Sequence, residues 1–296
     1  MKNFDEIFEV AKKCKRAVAV AVAAAGHLIQ LADEAVDMGI ADMILVGDAA
    51  KIRQLAADDG IDVNKFEIID EPDDAAACRV AVRLVRDGRA GALMKGDIDT
   101  SIVLRAILCR EAGIRTNKKL SHIAVFEPPT YHKLLFAADC AINIAPDMNT
   151  KIDIIENTVS ALHNLGIDTP KVALLAAKEK VDKNMPITQE YADIVAIHKT
   201  GERMEGCIID GPMALDNAVS AESCGIKGIC SVVCGDADIL IAPNIEAGNI
   251  LYKALSFIAR AKNGGVVVGA ARPIILTSRA DSNESKLISI ALSVLF

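Results

Sequence analysis

Residues 17–46 read AVAVAVAAAGHLIQLADEAVDMGIADMILV, and this stretch decides the fold class. The apolar run at 17–22 predicts a buried strand, and the apolar positions at 29–38 predict a helix that ends before Gly39. A second apolar run at 43–46 predicts the next strand. Two strands joined by a helix are typical of a parallel sheet with a crossover connection.

The same alternation continues along the chain of 296 residues. Further strands are predicted at 91–94, 172–175, 207–209, 239–241, 266–268 and 274–276. Helices are predicted at 75–85, 100–112, 155–162 and 250–258, from a Thr188 cap to Gly201, and from about Ser282 to the end. The sequence therefore predicts an α/β protein with mostly parallel sheets, and its length suits two domains that meet near 140–150.

Composition narrows the class of function. Hydrophobic residues make up 52% of the chain, and the net charge of −7 argues against a nucleic-acid binder, which would present a basic face. The N-terminus lacks a signal-peptide pattern, and the longest apolar run, at 17–25, is shorter than the roughly 20 residues of a membrane-spanning helix. We expect a cytoplasmic protein with no membrane segment.

The cysteines show no spacing typical of a metal or redox site. None of the eight forms a C-x-x-C pair, and no histidine cluster accompanies them. We therefore expect buried, reduced thiols of a cytosolic protein. The positions are Cys14, Cys78, Cys109, Cys140, Cys207, Cys224, Cys230 and Cys234.

A polar junction follows the strand predicted at 91–94. Lys95 and Gly96 form a turn, and Thr100 and Ser101 open the next helix. Open α/β sheets bind ligands where strands end, and a helix N-terminus attracts phosphate. The order of residues is not that of a P-loop. A glycine turn with a hydroxyl cap explains the same residues, so phosphate binding and a structural role both stay open.

A second junction carries Asp210, Gly211 and Pro212 after a buried strand. Turn chemistry explains these residues, and we favour it over substrate binding. His122 leads an apolar strand, and a structural histidine is the favoured interpretation there.

The third junction lies before the last helix, where Ser278 and Arg279 follow an apolar strand. A hydroxyl and a guanidinium beside free helix N–H groups could hold a phosphate or an oxyanion. Asp281 and Glu284 have the spacing of a capping box, which we favour slightly over a catalytic base. Asn249, Lys253 and Ser282 are further polar candidates in this part of the chain.

Taken together, these segments resemble the phosphate acetyltransferase and phosphate butyryltransferase family, most closely its butyryltransferase branch. The resemblance covers nearly the whole chain, in order. It rests on LMKGD at 93–97, LSH at 120–122, NIAP at 143–146, DGP at 210–212, LDNA at 215–218, ADIL at 237–240, EAGNILYK at 246–253 and TSRADS at 277–282.

The resemblance implies two α/β/α domains like those of isocitrate and isopropylmalate dehydrogenase, with the active site in a cleft between them. It also implies that the C-terminal helix of the chain returns to the first domain. Residues 1–140 with 280–296 would then form the first domain, and 141–279 the second. The implied activity is reversible acyl transfer between coenzyme A and inorganic phosphate by a homo-oligomer. The resemblance implies no metal or redox cofactor, and it implies that coenzyme A or acyl-CoA is a substrate.

The resemblance also assigns roles to residues. Arg279 would bind phosphate, and Ser278 would steady the tetrahedral intermediate. In the acetyltransferase branch, the proposed base for the CoA thiol is an aspartate seven residues after the serine. In this chain Ser285 occupies that position. Asp281 or Glu284 could replace that base. Substrate-binding candidates are Lys95, Gly96, Thr100, Ser101, His122, Asp210, Gly211, Asn249, Lys253 and Ser282.

The alternatives concern the acyl group and the reaction class. The resemblance favours butyryl-CoA as the substrate, and acetyl-CoA is the first alternative, because one methylene changes binding by only about 1–3 kcal/mol. A nicotinamide-dependent dehydrogenase on the same fold is a remoter alternative, since no G-x-G-x-x-G follows a strand. A non-catalytic regulator that binds coenzyme A or acyl phosphate is a third.

Overall fold

The computed structural model describes residues 1–14, 16–277 and 281–296. Its strands are β1 (Ala17–Ala21), β2 (Asp42–Gly47), β3 (Glu67–Asp70), β4 (Ala92–Lys95), β5 (Ser121–Glu127), β6 (Leu135–Ala138), β7 (Lys171–Leu175), β8 (Ile208–Met213), β9 (Ile239–Ile241), β10 (Lys262–Val268) and β11 (Ile274–Ile275). No helix among the described residues is both long and apolar enough to cross a membrane.

Helices alternate with these strands. They are α1 (Phe4–Cys14), α2 (Gly26–Asp37), α3 (Ala49–Asp58), α4 (Asp74–Arg86), α5 (Thr100–Ile107), α6 (Met148–Asn164), α7 (Pro186–Thr200), α8 (Leu215–Val219), α9 (Ala221–Lys227), α10 (Ile245–Lys253) and α11 (Asn283–Leu295). A 3-10 turn at Val63–Lys65 precedes β3, and a π-helical turn at Ala254–Ile258 extends α10.

The chain divides into two compact units. We call Phe4–Lys118 with Gly264–Phe296 the terminal unit, and Met1–Asn3 with Lys119–Asn263 the middle unit. The middle unit takes in residues 119–140, which the resemblance assigned to the first domain, because β6 pairs with β9. Residues 264–277, which the resemblance assigned to the second domain, fall in the terminal unit because β11 pairs with β4.

The terminal unit is built on strands in the order β3-β2-β1-β4-β11, with β10 beyond β11. All of these run parallel except β10, which is antiparallel to β11. The short apolar side chains of β1 are buried from Val18 onward, as the sequence 17–22 predicts. Helix α11 contacts α1, α2 and β11, and its residues from Leu287 to Leu295 are all buried.

The middle unit carries strands in the order β5-β6-β9-β7-β8, all parallel except β5. Phe126, Leu240 and Met213 belong to its apolar core. The prediction of an α/β protein with mostly parallel sheets is therefore confirmed in both units.

Two local predictions are wrong. Asp210, Gly211 and Pro212 lie inside β8 rather than in a turn, because β8 is the last strand in its order and an edge strand tolerates proline. Helix α7 begins at Pro186, so Thr188 lies within its first turn, where its hydroxyl donates to the carbonyl oxygen of Met185. The cap residue is Met185 instead.

The cysteines also differ from the expectation of buried, reduced thiols. Cys224 and Cys234 form a disulfide with Cα atoms 6.1 Å apart, because α9 and the loop after it bring the two residues together. Cys14, Cys109 and Cys230 are exposed, whereas Cys78, Cys140 and Cys207 are buried as expected.

Candidate active site

Three neighbouring strands of the terminal unit run parallel, so their carboxyl ends lie at one edge of the sheet. β4 lies between β1 and β11. Val22 follows β1, Lys95 ends β4, and Thr277 comes two residues after β11. Ser278 and Arg279, the next residues, lie outside the described part of the chain. The fold therefore brings the junction at Lys95 and the segment leading to Ser278 to the same sheet edge.

The Lys95–Gly96 junction is held by close backbone contacts. The backbone N–H of Gly96 donates to the carbonyl oxygen of Ala21 at 2.8 Å. A Cβ atom on Gly96 would lie only 2.2 Å from the carbonyl oxygen of Val22. The ammonium of Lys95 donates to the carbonyl oxygens of Gly96 and Ile98, at 3.1 and 2.9 Å. Lys95 therefore shapes its own loop, and Gly96 is needed because two strand ends meet there.

The backbone next to this junction is strained. Val22 has φ of +57°, a left-handed conformation that a β-branched residue rarely adopts. Strained backbone is often found at functional sites, where the surrounding structure holds it in place. The strain lies beside the predicted phosphate-binding turn.

Two helices begin near this edge with no side-chain cap. Ala25 precedes α2 and makes no capping hydrogen bond, and Asp99 precedes α5 without making one. Thr100 and Ser101 are the exposed first residues of α5, so they are helical residues rather than caps. Backbone N–H groups at an uncapped helix start are available to an anion, and the helix dipole favours negative charge there.

The last helix begins differently from the sequence prediction. Ser282 is the N-cap of α11, and its hydroxyl oxygen accepts the backbone N–H of Ser285 at 3.1 Å. The interpretation of Asp281 as the cap is therefore wrong, because the chain enters the helix one residue later. Glu284 is exposed in the first turn of α11.

The middle unit carries the other candidates. The carboxyl ends of β6, β9, β7 and β8 share one edge, and the antiparallel β5 starts there. His122, the second residue of β5, is half-buried, and its ring meets the ring of Tyr252 edge-on at 6.2 Å. Asn249 in α10 donates its amide to the carbonyl oxygen of Cys140 at 3.2 Å. His122 and Asn249 therefore both belong to elements that begin at this edge.

Lys253 and Asp210 lie further along their elements. The exposed ammonium of Lys253 lies 4.9 Å from the ring centre of Tyr252 and 5.4 Å from that of Phe257, which are cation–π distances. The carboxylate of Asp210 accepts the backbone N–H of Gly211 at 2.8 Å. A Cβ atom on Gly211 would lie 2.6 Å from that of Leu174, so Gly211 serves close strand packing.

A buried carboxylate at the same edge was not among the candidates predicted from the sequence. Asp139 directly follows β6, is 3% exposed, and accepts hydrogen bonds from the backbone of Ala141, Ile142 and Asn143. An aspartate that binds backbone N–H groups a few residues later is a recognised local pattern. The adjacent Cys140 thiol has a raised pKa, caused first by burial and then by the charge of Asp139, so it is not a thiolate nucleophile.

The family follows from comparison with known proteins. A family model described as "Phosphate acetyl/butaryl transferase" matches residues 3–78 and 74–294. The chain belongs to this family. The resemblance found in the sequence is thus confirmed.

Relatives within this acetyl/butyryltransferase family match over the full length. The phosphate butyryltransferase of Clostridium acetobutylicum is 45% identical, over 100% of this chain and 98% of the relative. That of Clostridium beijerinckii is 44% identical, over 99% of this chain and 97% of the relative.

Solved structures agree on the architecture. A branched-chain phosphotransacylase from Enterococcus faecalis V583 matches with a TM-score of 0.85 and 34% identity, over 95% of this chain and 98% of that chain. A putative 4-hydroxythreonine-4-phosphate dehydrogenase from Salmonella typhimurium matches with a TM-score of 0.62 and 14% identity, over 95% and 99%. The second similarity concerns the fold alone, and it agrees with the predicted dehydrogenase-like architecture.

Proposed function

We propose that this protein is a phosphate butyryltransferase, which interconverts butyryl-CoA and phosphate with butyryl phosphate and free coenzyme A. The observation that carries the proposal is the 45% identity, over the whole chain, to a protein of that name. Coenzyme A enters as a substrate and not as a resident cofactor.

The chemistry has simple requirements. A phosphate oxygen attacks the thioester carbonyl carbon, a C–O bond forms, and the C–S bond breaks when the tetrahedral intermediate collapses. The thiolate of coenzyme A leaves and takes up a proton. In the reverse direction the thiol must lose that proton, because the thiolate is the nucleophile.

We propose that Arg279 binds phosphate and that Ser278 donates to the developing oxyanion, because a bidentate guanidinium and a nearby hydroxyl suit these tasks. In the sequence both come shortly after β11, and β11 ends at the edge that also carries Lys95 and Gly96. Thr100 and Ser101 begin an uncapped helix there, which supports a role in holding phosphate groups.

Two acidic side chains remain candidates for the base that accepts the thiol proton. Glu284 and Asp281 flank the Ser282 cap at the start of α11. We propose Glu284 or Asp281 for this role because Ser285 cannot act as a carboxylate base. Replacing each by its amide and measuring the reverse reaction against pH separates the two.

The other binding candidates belong to the middle unit. We propose that His122, Asp210, Gly211, Asn249 and Lys253 contact coenzyme A or the acyl group. His122 and Asn249 are supported by their position on elements that begin at the carboxyl edge of the middle sheet. Lys253 offers an exposed ammonium to an anionic substrate.

A homo-oligomer and a cytoplasmic location complete the proposal. Large apolar side chains are exposed in one helical stretch, at Ile250, Phe257 and Ile258, which are 69%, 63% and 83% exposed. Such exposure often marks a protein–protein contact. Light scattering tests self-association. Cell fractionation tests the location. This test matters because Cys224 and Cys234 form a disulfide, and disulfides are rare in cytosolic proteins.

A panel of acyl-CoA substrates with and without phosphate tests the proposal. We expect phosphate-dependent thiol release that is faster with butyryl-CoA than with acetyl-CoA. A preference for acetyl-CoA would replace the butyryl assignment with phosphate acetyltransferase. Turnover that required a nicotinamide cofactor would point to the dehydrogenase alternative.

A further inference from the structure

The carboxylate of Asp139 organises the loop that leaves β6. Its Oδ1 accepts the backbone N–H groups of Ala141 and Ile142 at 2.9 and 3.1 Å. Its Oδ2 accepts the backbone N–H and the side-chain amide of Asn143 at 3.1 and 2.6 Å. Four donors therefore converge on one carboxylate that is almost fully buried.

The side chain of Asn143 links the Asp139 loop to the start of β5. Its amide nitrogen donates both to Asp139 and to the carbonyl oxygen of Leu120, the latter at 2.8 Å. Leu120 directly precedes β5, in which His122 is the second residue. The carboxylate thus fixes the point at which the chain enters β5.

The start of α10 rests on the same loop. A Cβ atom on Gly248 would lie 2.2 Å from the carbonyl oxygen of Asp139, so the helix packs directly on this backbone. The side-chain amide of Asn249 donates to the carbonyl oxygen of Cys140. The backbone N–H of Ile245 donates to the carbonyl oxygen of Ile144 at 3.0 Å. The first turn of α10 is therefore tied to the loop at two points.

We propose that Asp139 is a positioning residue for acyl transfer, which holds His122 and Asn249 in the arrangement that binds substrate. Asp139 itself touches no substrate in this proposal. The inference rests on the proposed function, in which His122 and Asn249 contact coenzyme A or the acyl group. Only a carboxylate accepts at both oxygens, so an amide at this position turns one acceptor into a donor that faces another donor.

Asp139→Asn tests the proposal, with Asp238→Asn as the matched control. Asp238 is also a buried carboxylate of the middle unit, and its Oδ2 accepts the backbone N–H of Lys171 at 2.8 Å. It precedes β9, whereas Asp139 follows the parallel neighbour β6, so the two lie at opposite edges of the sheet. Both changes disturb a buried carboxylate, but only Asp139 belongs to the loop that is hydrogen-bonded to the start of β5 and to Asn249.

Steady-state kinetics and calorimetric titration with coenzyme A are measured for each folded variant well below its unfolding temperature. For Asp139→Asn we expect KM for acyl-CoA and the dissociation constant for coenzyme A to rise about 10-fold or more, because displaced binding groups lose their geometry. We expect kcat to change much less. Asp238→Asn should keep the wild-type KM while losing thermal stability.

Asn143→Ala gives a second test if Asp139→Asn does not fold. It removes the amide that joins Asp139 to the start of β5, and KM should rise in the same direction. A KM for these variants equal to that of Asp238→Asn would overturn the positioning role while leaving the proposed function intact. A wild-type protein that neither binds coenzyme A nor turns over acyl-CoA would overturn both.

Discussion

The backbone of Gly96 packs against the carbonyl oxygen of Val22, with room for a hydrogen but not for a Cβ atom, which would lie 2.2 Å away. Val22 directly follows β1, and Gly96 directly follows the neighbouring parallel strand β4. This contact fixes the turn that carries Lys95, at the sheet edge where the neighbouring strand β11 also ends.

Gly96→Ala should destabilise the protein by about 1–3 kcal/mol, the usual range for overpacking, because the added methyl group meets backbone rather than a flexible side chain. Turnover should also fall, since Lys95 moves with the loop. Urea unfolding measures the first effect. Gly26→Ala is the matched control, because the nearest atom to its new methyl group is 3.8 Å away. Equal stability of the two variants would refute the close approach.

Ser282→Ala should lower the free energy of unfolding by about 1 kcal/mol, because the backbone N–H of Ser285 loses its capping acceptor. Ser160→Ala, an exposed position within α6, serves as the control and should not destabilise. Thermal unfolding of both variants measures the difference. No loss in Ser282→Ala would mean that the helix is not capped by this hydroxyl.

Arg279→Ala should reduce kcat/KM for phosphate by about 100-fold or more, as expected when a group that stabilises the transition state is removed. Arg279→Lys should restore only part of the rate, because lysine lacks the bidentate fork. Arg53→Ala, on the exposed face of α3, is the control for loss of a positive charge. A wild-type rate in Arg279→Ala would remove the residue from the site.

Asp236 should make the middle unit sensitive to acid. Burial alone would raise the pKa of its carboxyl, but hydrogen bonds from Lys171, Lys133 and His132 outweigh it and hold the pKa well below the ordinary value. A group with a lowered folded pKa stabilises the protein above its unfolded pKa of about 4 and loses that effect as pH falls. The stability gap between wild type and Asp236→Asn, followed by urea unfolding, should therefore shrink below about pH 4. A gap that stayed constant down to pH 2 would contradict the ion pairs.

The sequence alone predicted the strand and helix alternation, because buried parallel strands are short apolar runs such as 17–22. It did not predict that Asp210-Gly211-Pro212 lies in a strand, since turn chemistry and an edge strand both accept this tripeptide. Position in the sheet decides between them, and that is a tertiary property.

Other features could not be predicted from the sequence because they also depend on the tertiary structure. Cys224 and Cys234 pair only after α9 and the following loop fold back. Asp139 shows its role only when Ala141, Ile142 and Asn143 turn their backbone N–H groups toward it. The candidate Ser282 was found in the sequence, but its capping role depends on where α11 begins.

The central claim is that the chain exchanges an acyl group between coenzyme A and phosphate. The most direct test incubates the purified protein with butyryl-CoA, with and without inorganic phosphate, and measures free thiol and butyryl phosphate together, the latter trapped by hydroxylamine. The claim predicts equal amounts of both products, formed only when phosphate is present. Thiol release without phosphate, or without matching butyryl phosphate, would contradict it.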